Sequence, residues 1–582
     1  MVSASTTWAR ALLIGAIALP LSLAAHAAGK ETVKRTPVET LSIAGQTGRV
    51  ESGQKFFGNA KFVGAESCKS CHEKQHAEWM DTWHAKMERW PSPETVIGDF
   101  GNRTINWKNI RIRDKDGKES RISPSGLVFR EGGKYRFTLM DKDNPANNQT
   151  YEVAKTLGGK WDQGYEVRIG DNYIPAPIRW SVAAQDWLIG GFRVDEWFVV
   201  DGTPDGRPRR PEELPLGRVA EAKCNGCHTT GFEFVQDKET KVWKGVGKGE
   251  LGIACEKCHG PGSKHVAEAE SAKASGKPLD PAASTIVHPL KDLNALQQTE
   301  VCGQCHGRNT NKTITDLAFP IGFLPGDVDM TTRSRYWSYS GSSNPTETAY
   351  FWPNDWAARN RQQSQDYQKS AHFNKAGMSC LTCHTFHGKS EGAQLRQKPE
   401  EMCVSCHSGT GYAKRNNAEM FADSPMAKAG VQCIDCHMPK IGSRSRATGK
   451  TGHQWDTASH TFLVATPALE KAQGIRSSCA SCHEGEGKKM AGGAQTPAFD
   501  TNTLDILLKQ KQSMTREEIE AVEKLLAKAN VKKPAARKLA EEARGKLNFV
   551  LLDGSLGFHN QEKAMAHIAE ARKLAEKAVK VR

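Results

Sequence analysis

Little in this sequence could fill a conventional protein interior. Hydrophobic residues account for 38% of its 582 positions. That is low for a chain of this size and argues against an aliphatic core as the main source of stability. Beyond one apolar run near the start there is no second stretch of membrane-spanning length, so no span is expected once that run is removed. There is no basic low-complexity tail and no nucleic-acid motif, so the formal charge of +14 does not point to nucleic acid. No cysteine is left over from a single repeated pattern.

The early apolar run, Ala11 to Ala25, follows Arg10 and ends in Ala25-His26-Ala27, a small-x-small pattern. It predicts a signal peptide over residues 1–27, cleaved after Ala27. The run is short for an uncleaved anchor helix. No cysteine follows until Cys68, which excludes a lipoprotein anchor there. The mature chain is expected in the periplasm or outside the cell.

All sixteen cysteines lie in eight Cys-x-x-Cys-His motifs. The pairs are Cys68 and Cys71, Cys224 and Cys227, Cys255 and Cys258, and Cys302 and Cys305. Then come Cys380 and Cys383, Cys403 and Cys406, Cys433 and Cys436, and Cys479 and Cys482. Cysteines three apart share one side of a helical turn, and the histidine one residue later is carried beside them. Such thiols add to the vinyl groups of haem, and the histidine ligates iron from the proximal side. Eight disulfides would suit an exported chain, and paired cysteines would suit zinc. Neither explains a histidine after every pair. The reading is eight covalently bound c-type haems, each with its iron.

The proximal ligands are then His72, His228, His259, His306, His384, His407, His437 and His483. Of nineteen histidines, His26 leaves with the signal peptide and ten remain. Eight of these are distal candidates: His84, His265, His288, His372, His387, His453, His460 and His559. His84 sits among Trp79 and Trp83, His372 and His387 bracket the fifth motif, and His559 lies in DGSLGFHN. His288, in STIVHP, has the least distinctive surroundings. His76 and His567 read as solvated surface histidines. Met426, in SPMAKAGVQCIDCH, reads as packing on a porphyrin rather than ligating iron.

The stretch from Cys224 to His483, followed by DGSLGFHN and a terminal helix, resembles the multihaem cytochrome c superfamily. That group includes pentahaem nitrite reductase, octahaem hydroxylamine oxidoreductase and octahaem tetrathionate reductase. The segment SAHFNKAGMSCLTCHTFH also resembles repeats of the decahaem cytochromes of outer-membrane electron conduits. Two departures matter. Nitrite reductases attach the catalytic haem through a motif ending in lysine, whereas all eight motifs here end in histidine. Hydroxylamine oxidoreductases crosslink that haem to a tyrosine near the C-terminus, whereas the last tyrosine here is Tyr412. The resemblance implies that terminal helices pack near the haems and can meet in a homo-oligomer.

The expected fold class is a mainly α multihaem cytochrome with a haem-dominated core, a β-rich insert and C-terminal helices. Residues 28–99 read as a polar arm and the first haem site. Residues 100–215 read as a haem-free β-rich insert, because GLVFREGGKYRFTLMD is two alternating runs around Gly132-Gly133, a hairpin pattern. Residues 216–485 form a seven-haem domain, with motifs at intervals of 23 to 78 residues. Residues 486–582 are helical. Thr515 with Glu518 reads as a capping box opening a helix near Met514, with further helices at Lys532 to Val550 and Gln561 to Val579.

Each ferric haem brings about one net negative charge, so eight of them offset about eight positive charges. The expected function is electron carriage between redox partners in respiration. Those partners would be cytochromes, a quinol-oxidising complex or a terminal reductase, with extracellular or metal acceptors included. This favours a carrier over an enzyme, since strong distal candidates equal the haems in number and the catalytic markers above are missing. The alternative is an oxidoreductase of a small nitrogen or sulfur oxyanion with one open haem. A filament subunit with haems stacked between copies is a third reading.

Overall fold

The computed structural model describes residues 48–581 apart from 114–117, 189–193, 201–205, 248, 282–283, 308–316, 329–349, 389, 412, 444–455, 491–492 and 494. The chain divides into two units, Met1–Ser42 and Ile43–Arg582. The expected signal peptide and most of the polar arm lie outside the described residues, as do His453 and Tyr412.

Two antiparallel sheets dominate the first part of the second unit. One has four strands in the order Arg103–Asn106, Ser125–Glu131, Lys134–Met140, Gln149–Glu152. Its central hairpin pairs Glu131 with Lys134 and turns through Gly132 and Gly133, both at positive φ. Two successive positive φ values are what a two-residue turn matched to the strand twist requires. Tyr135, Phe137 and Leu139 alternate inward from the second strand, as a half-buried sheet face demands.

The other sheet runs Glu88–Arg89, Lys155–Gly158, Asp162–Ile169, Asn172–Ser181, Asp186–Trp187. Its register shifts between Pro175 and Arg179, where Pro175 and Pro177 cannot donate to the ladder. The first strand of this sheet comes from the segment after the first motif. Lys155 is buried inside the sheet, with its Nζ 2.7 Å from Glu88 and 3.5 Å from Glu166.

After Arg218 the chain becomes a series of short helices that carry the motifs. Cys255–His259 and Cys433–His437 are single motif-length helices. The fourth motif ends the longer helix Ala295–His306, which is capped reciprocally by Asn294 and Gln297. Such short helices bury little apolar surface of their own.

Three long helices close the chain, Thr501–Leu526, Pro534–Asp553 and Gln561–Lys580. The first opens fourteen residues before the expected capping box. Its N-cap is Asp500, whose carboxylate accepts from the Thr503 N–H at 2.7 Å. Thr515 is buried in mid-helix and donates its hydroxyl back to the Lys511 carbonyl. A Thr-x-x-Glu pattern can therefore sit inside a helix when the hydroxyl bonds the preceding turn. Ala540, Ala543, Ala564, Ala571 and Ala575 are fully buried along the seam, where small side chains let the helices approach closely. No helix among the described residues is long and apolar enough to cross a membrane.

Candidate functional site

Six motif histidines each face one of the remote candidates. Ring centroids are 6.4 Å apart for His72 and His265, 6.3 Å for His306 and His84, and 6.3 Å for His259 and His387. They are 5.9 Å apart for His407 and His372, 6.5 Å for His384 and His460, and 6.1 Å for His437 and His559. Two imidazoles on opposite sides of one iron need about 6.2 Å between centroids, from two metal–nitrogen bonds of about 2.0 Å and two nitrogen-to-centroid offsets of about 1.1 Å. The residues present therefore fit a six-coordinate iron at each of these places.

Burial holds several of the imidazoles in the ligating form. Burial, with the field of His306 adding to it, pushes His84 down to about 4. Burial does the same for His228, His259 and His460. A neutral ring is the form that binds a metal. Several Nδ1 atoms are anchored on backbone carbonyls: His259 on Val287 at 2.7 Å, His384 on Ala393 at 3.1 Å, and His483 on Pro497 at 2.8 Å. Anchoring Nδ1 turns Nε2 toward the iron position.

All sixteen thiols are free. Ten of them, from Cys224 to Cys482, line with nine histidines a continuous cleft of about 2540 Å³, well above the roughly 300–1,000 Å³ of a pocket for one ligand. Cysteines of different motifs are neighbours. Cys68 lies near Cys255, Cys227 near Cys305, Cys302 near Cys380, and Cys403 near Cys433. Electrostatic neighbours also join Cys258 to Cys302, Cys383 to Cys403, and Cys436 to Cys479. The motifs are thereby connected in the spatial order first, third, fourth, fifth, sixth, seventh, eighth. The second joins at the fourth.

The other histidines stand differently. His288 is exposed at the N-terminus of the short helix Pro289–Asp292. It lies beside the His259 and His387 pair without facing a motif histidine of its own. His453 lies outside the described residues. His228 is buried, and the charges nearest it in effect are Arg361 and Lys155. Arg361 is held at φ 61°, a left-handed conformation that is strained for a side chain of this size. Among the described residues no second imidazole faces His228 or His483. His567, read from the sequence as a surface residue, is half-buried and stacks on Phe549 at 4.1 Å. His76 lies against Trp79 and is 3.9 Å from Glu66. Met426 lines the cleft. Arg361 had no sequence signal; only its placement beside the second motif picks it out.

Three family models match parts of the chain. The cytochrome c552 model covers residues 406–582, the doubled CXXCH motif covers 372–411, and cytochrome c554 and c-prime covers 212–260. The dissimilatory sulfite reductase MccA of Wolinella succinogenes is 22% identical over 450 residues, which is 73% of this chain and 50% of MccA. The C-type polyheme cytochrome OmcB of Geobacter sulfurreducens is 30% identical over 145 residues, which is 23% of this chain and 19% of OmcB. The chain thus spans about half the length of the first relative and about a fifth of the second. Among solved structures, the outer cell wall cytochrome OcwA superposes with a TM-score of 0.58 at 22% identity, covering 88% of this chain and 99% of OcwA. At that identity the likeness is one of fold. The family-model matches and the CXXCH motifs make the chain similar to the multihaem c-type cytochromes.

Proposed function

We propose that the protein is an exported electron carrier that holds eight haems in one connected array and passes electrons between redox partners. The observation that carries this reading is the set of six imidazole pairs, each one motif histidine and one remote histidine at the spacing an iron requires. Haem iron between two imidazoles supplies one-electron chemistry at low potential without an open position for substrate. The chain fixes where each ring stands, and for several of them anchors Nδ1 so that Nε2 is aimed at the iron position. The cysteines of successive motifs stand near one another, which places the attachment points close together. On this reading the cofactors fill the interior of residues 216–485. The partners are other cytochromes, a quinol-oxidising complex or a terminal reductase, and the acceptors extend to extracellular metal. Export is supported by the apolar run before Ala27 and by the outer-cell-wall description of OcwA.

An electron paramagnetic resonance spectrum of the oxidised protein tests ligation directly. His84→Ala should open one site and add one high-spin signal absent from the parent. His288→Ala should leave the spectrum unchanged. An unaltered spectrum for His84→Ala would remove the basis of the pairing.

A second reading is favoured by the surroundings of His228. Arg361 brings positive charge to that site, which suits a small nitrogen or sulfur oxyanion, and one relative is named a sulfite reductase. On this reading the haem attached at Cys224 and Cys227 binds the oxyanion and the remaining sites feed it electrons. A high-spin signal in the parent protein that changes on adding sulfite or nitrite would establish it.

A further inference from the structure

Resting on the haem reading above, we propose that Asp553 is a positioning residue that sets the potential of the iron held between His437 and His559. Asp553 is fully buried, and its Oδ1 lies 2.6 Å from His559 Nδ1. Among the described residues, the other paired imidazoles whose Nδ1 is bonded use neutral oxygens. His259, His384, His437 and His460 meet carbonyls, His265 meets the Ser284 hydroxyl, and His306 and His407 meet the side-chain amides of Gln363 and Asn417. His559 alone of these rings bonds a carboxylate.

The local sequence builds this contact. Gly554 adopts φ 76° and ends the helix Pro534–Asp553, which lets the chain fold back over its own last residue. Ser555 then donates both its N–H and its hydroxyl to Asp553 Oδ2, while its hydroxyl oxygen accepts from the His559 N–H at 3.0 Å. The segment DGSLGFHN is thus a loop that presents one imidazole to one carboxylate. Asn417 extends the arrangement. Its Nδ2 donates to Asp553 Oδ1 at 3.2 Å, and its Oδ1 accepts from His407 Nδ1 at 3.2 Å. One buried carboxylate therefore bears directly on a ligand of the seventh site and, through an amide, on a ligand of the sixth.

The physical consequence is a preference for ferric iron. A carboxylate drawing on Nδ1–H raises the basicity of the ring and strengthens its donation to the metal. A fixed negative charge in a water-poor site also favours the extra positive charge of the oxidised state. The couple is a single electron delivered by a one-electron reductant to ferric iron, and no proton moves. The seventh site is therefore the hardest to reduce of the two that Asp553 reaches, and it lies between the sixth and eighth in the connected order.

Potentiometric titration of the holoprotein, followed by visible absorption with dithionite as reductant, tests this. Asp553→Asn should weaken the ferric preference of one haem at least tenfold, a positive shift of about 59 mV for a one-electron couple. The count of low-spin haems should stay constant. Asn417→Leu removes a competing donor from Asp553 and should move the same couple in the negative direction. This second variant decides the matter where Asp553→Asn does not fold. Unmoved couples in the variants that fold would overturn the proposal. His559→Ala separates the two layers: if it creates no high-spin signal, His559 is not a ligand and the haem reading of this site fails, whatever the titrations show.

Discussion

The β-rich region and the motif-bearing region differ in what lies between their backbones. In the first, twenty-three residues belong to one buried hydrophobic cluster of thirty among the described residues, whose other seven, from Val219 to Phe319, reach into the second. Phe100 meets Tyr165 and Trp187 edge to face there, at 5.4 and 5.1 Å, which adds directional contacts to simple burial. In the second, the separate cluster of Trp356, Ile441, Ala465 and Ile475 holds four, and nine histidines and ten cysteines stand among the residues that line the cleft. The comparison separates two ways of specifying structure. The sheets rest on surface removed from water. The motif region places ligands and attachment points and depends on a covalent partner to bring them into register.

Withholding the cofactor should produce the largest effect and the clearest break between the regions. Protein made without haem attachment should lose hydrogen-exchange and protease protection through residues 216–485. The strands Ser125–Glu131 and Lys134–Met140 should stay protected. Uniform protection across both regions would erase the contrast. A smaller effect is expected from the sheet core alone. Trp107 is 1% exposed, and Trp107→Ala should cost about 3–5 kcal/mol in denaturant unfolding, with the haem absorption of the folded state unaltered.

The smallest effect is a pH dependence. Burial raises the Glu300 carboxyl from 4.5 to about 8, against a hydrogen bond from Gln368 that lowers it. A carboxyl raised in the folded state contributes its full stability below about pH 4.5 and loses it as pH rises through about 8. Glu300→Gln should flatten the decline between about pH 5 and pH 8 in thermal unfolding. A decline as steep as in the parent would show that another group is responsible.

The parts of this architecture that were legible in the sequence are those encoded over a few residues. A Cys-x-x-Cys-His motif must be contiguous, because one turn of chain presents both thiols and the imidazole. The Gly132-Gly133 hairpin was legible for the same reason. The partners of the motif histidines were candidates without addresses. His265 meets His72 from a position nearly two hundred residues away, and no local pattern encodes that. His288 stands at the exposed start of a short helix, where its side chain makes no cap bond. The Thr515 pattern misled because a cap and a mid-helix threonine share one local chemistry, and only the apolar periodicity upstream, from Leu504, separates them.

The neighbouring cysteines of different motifs bear on how such a molecule is made. Cys68 with Cys255, Cys227 with Cys305, Cys302 with Cys380, and Cys403 with Cys433 would all be adjacent in a chain that folded before its cofactors were attached. In an oxidising compartment, thiols that meet are oxidised to disulfides. Each such bond would join two different motifs and consume one attachment point from both. A fold that ran ahead of attachment would be the hazard, and the dependence of residues 216–485 on the cofactor works against it. Thiols crosslinked in that way would be beyond repair by later cofactor supply without a reductant.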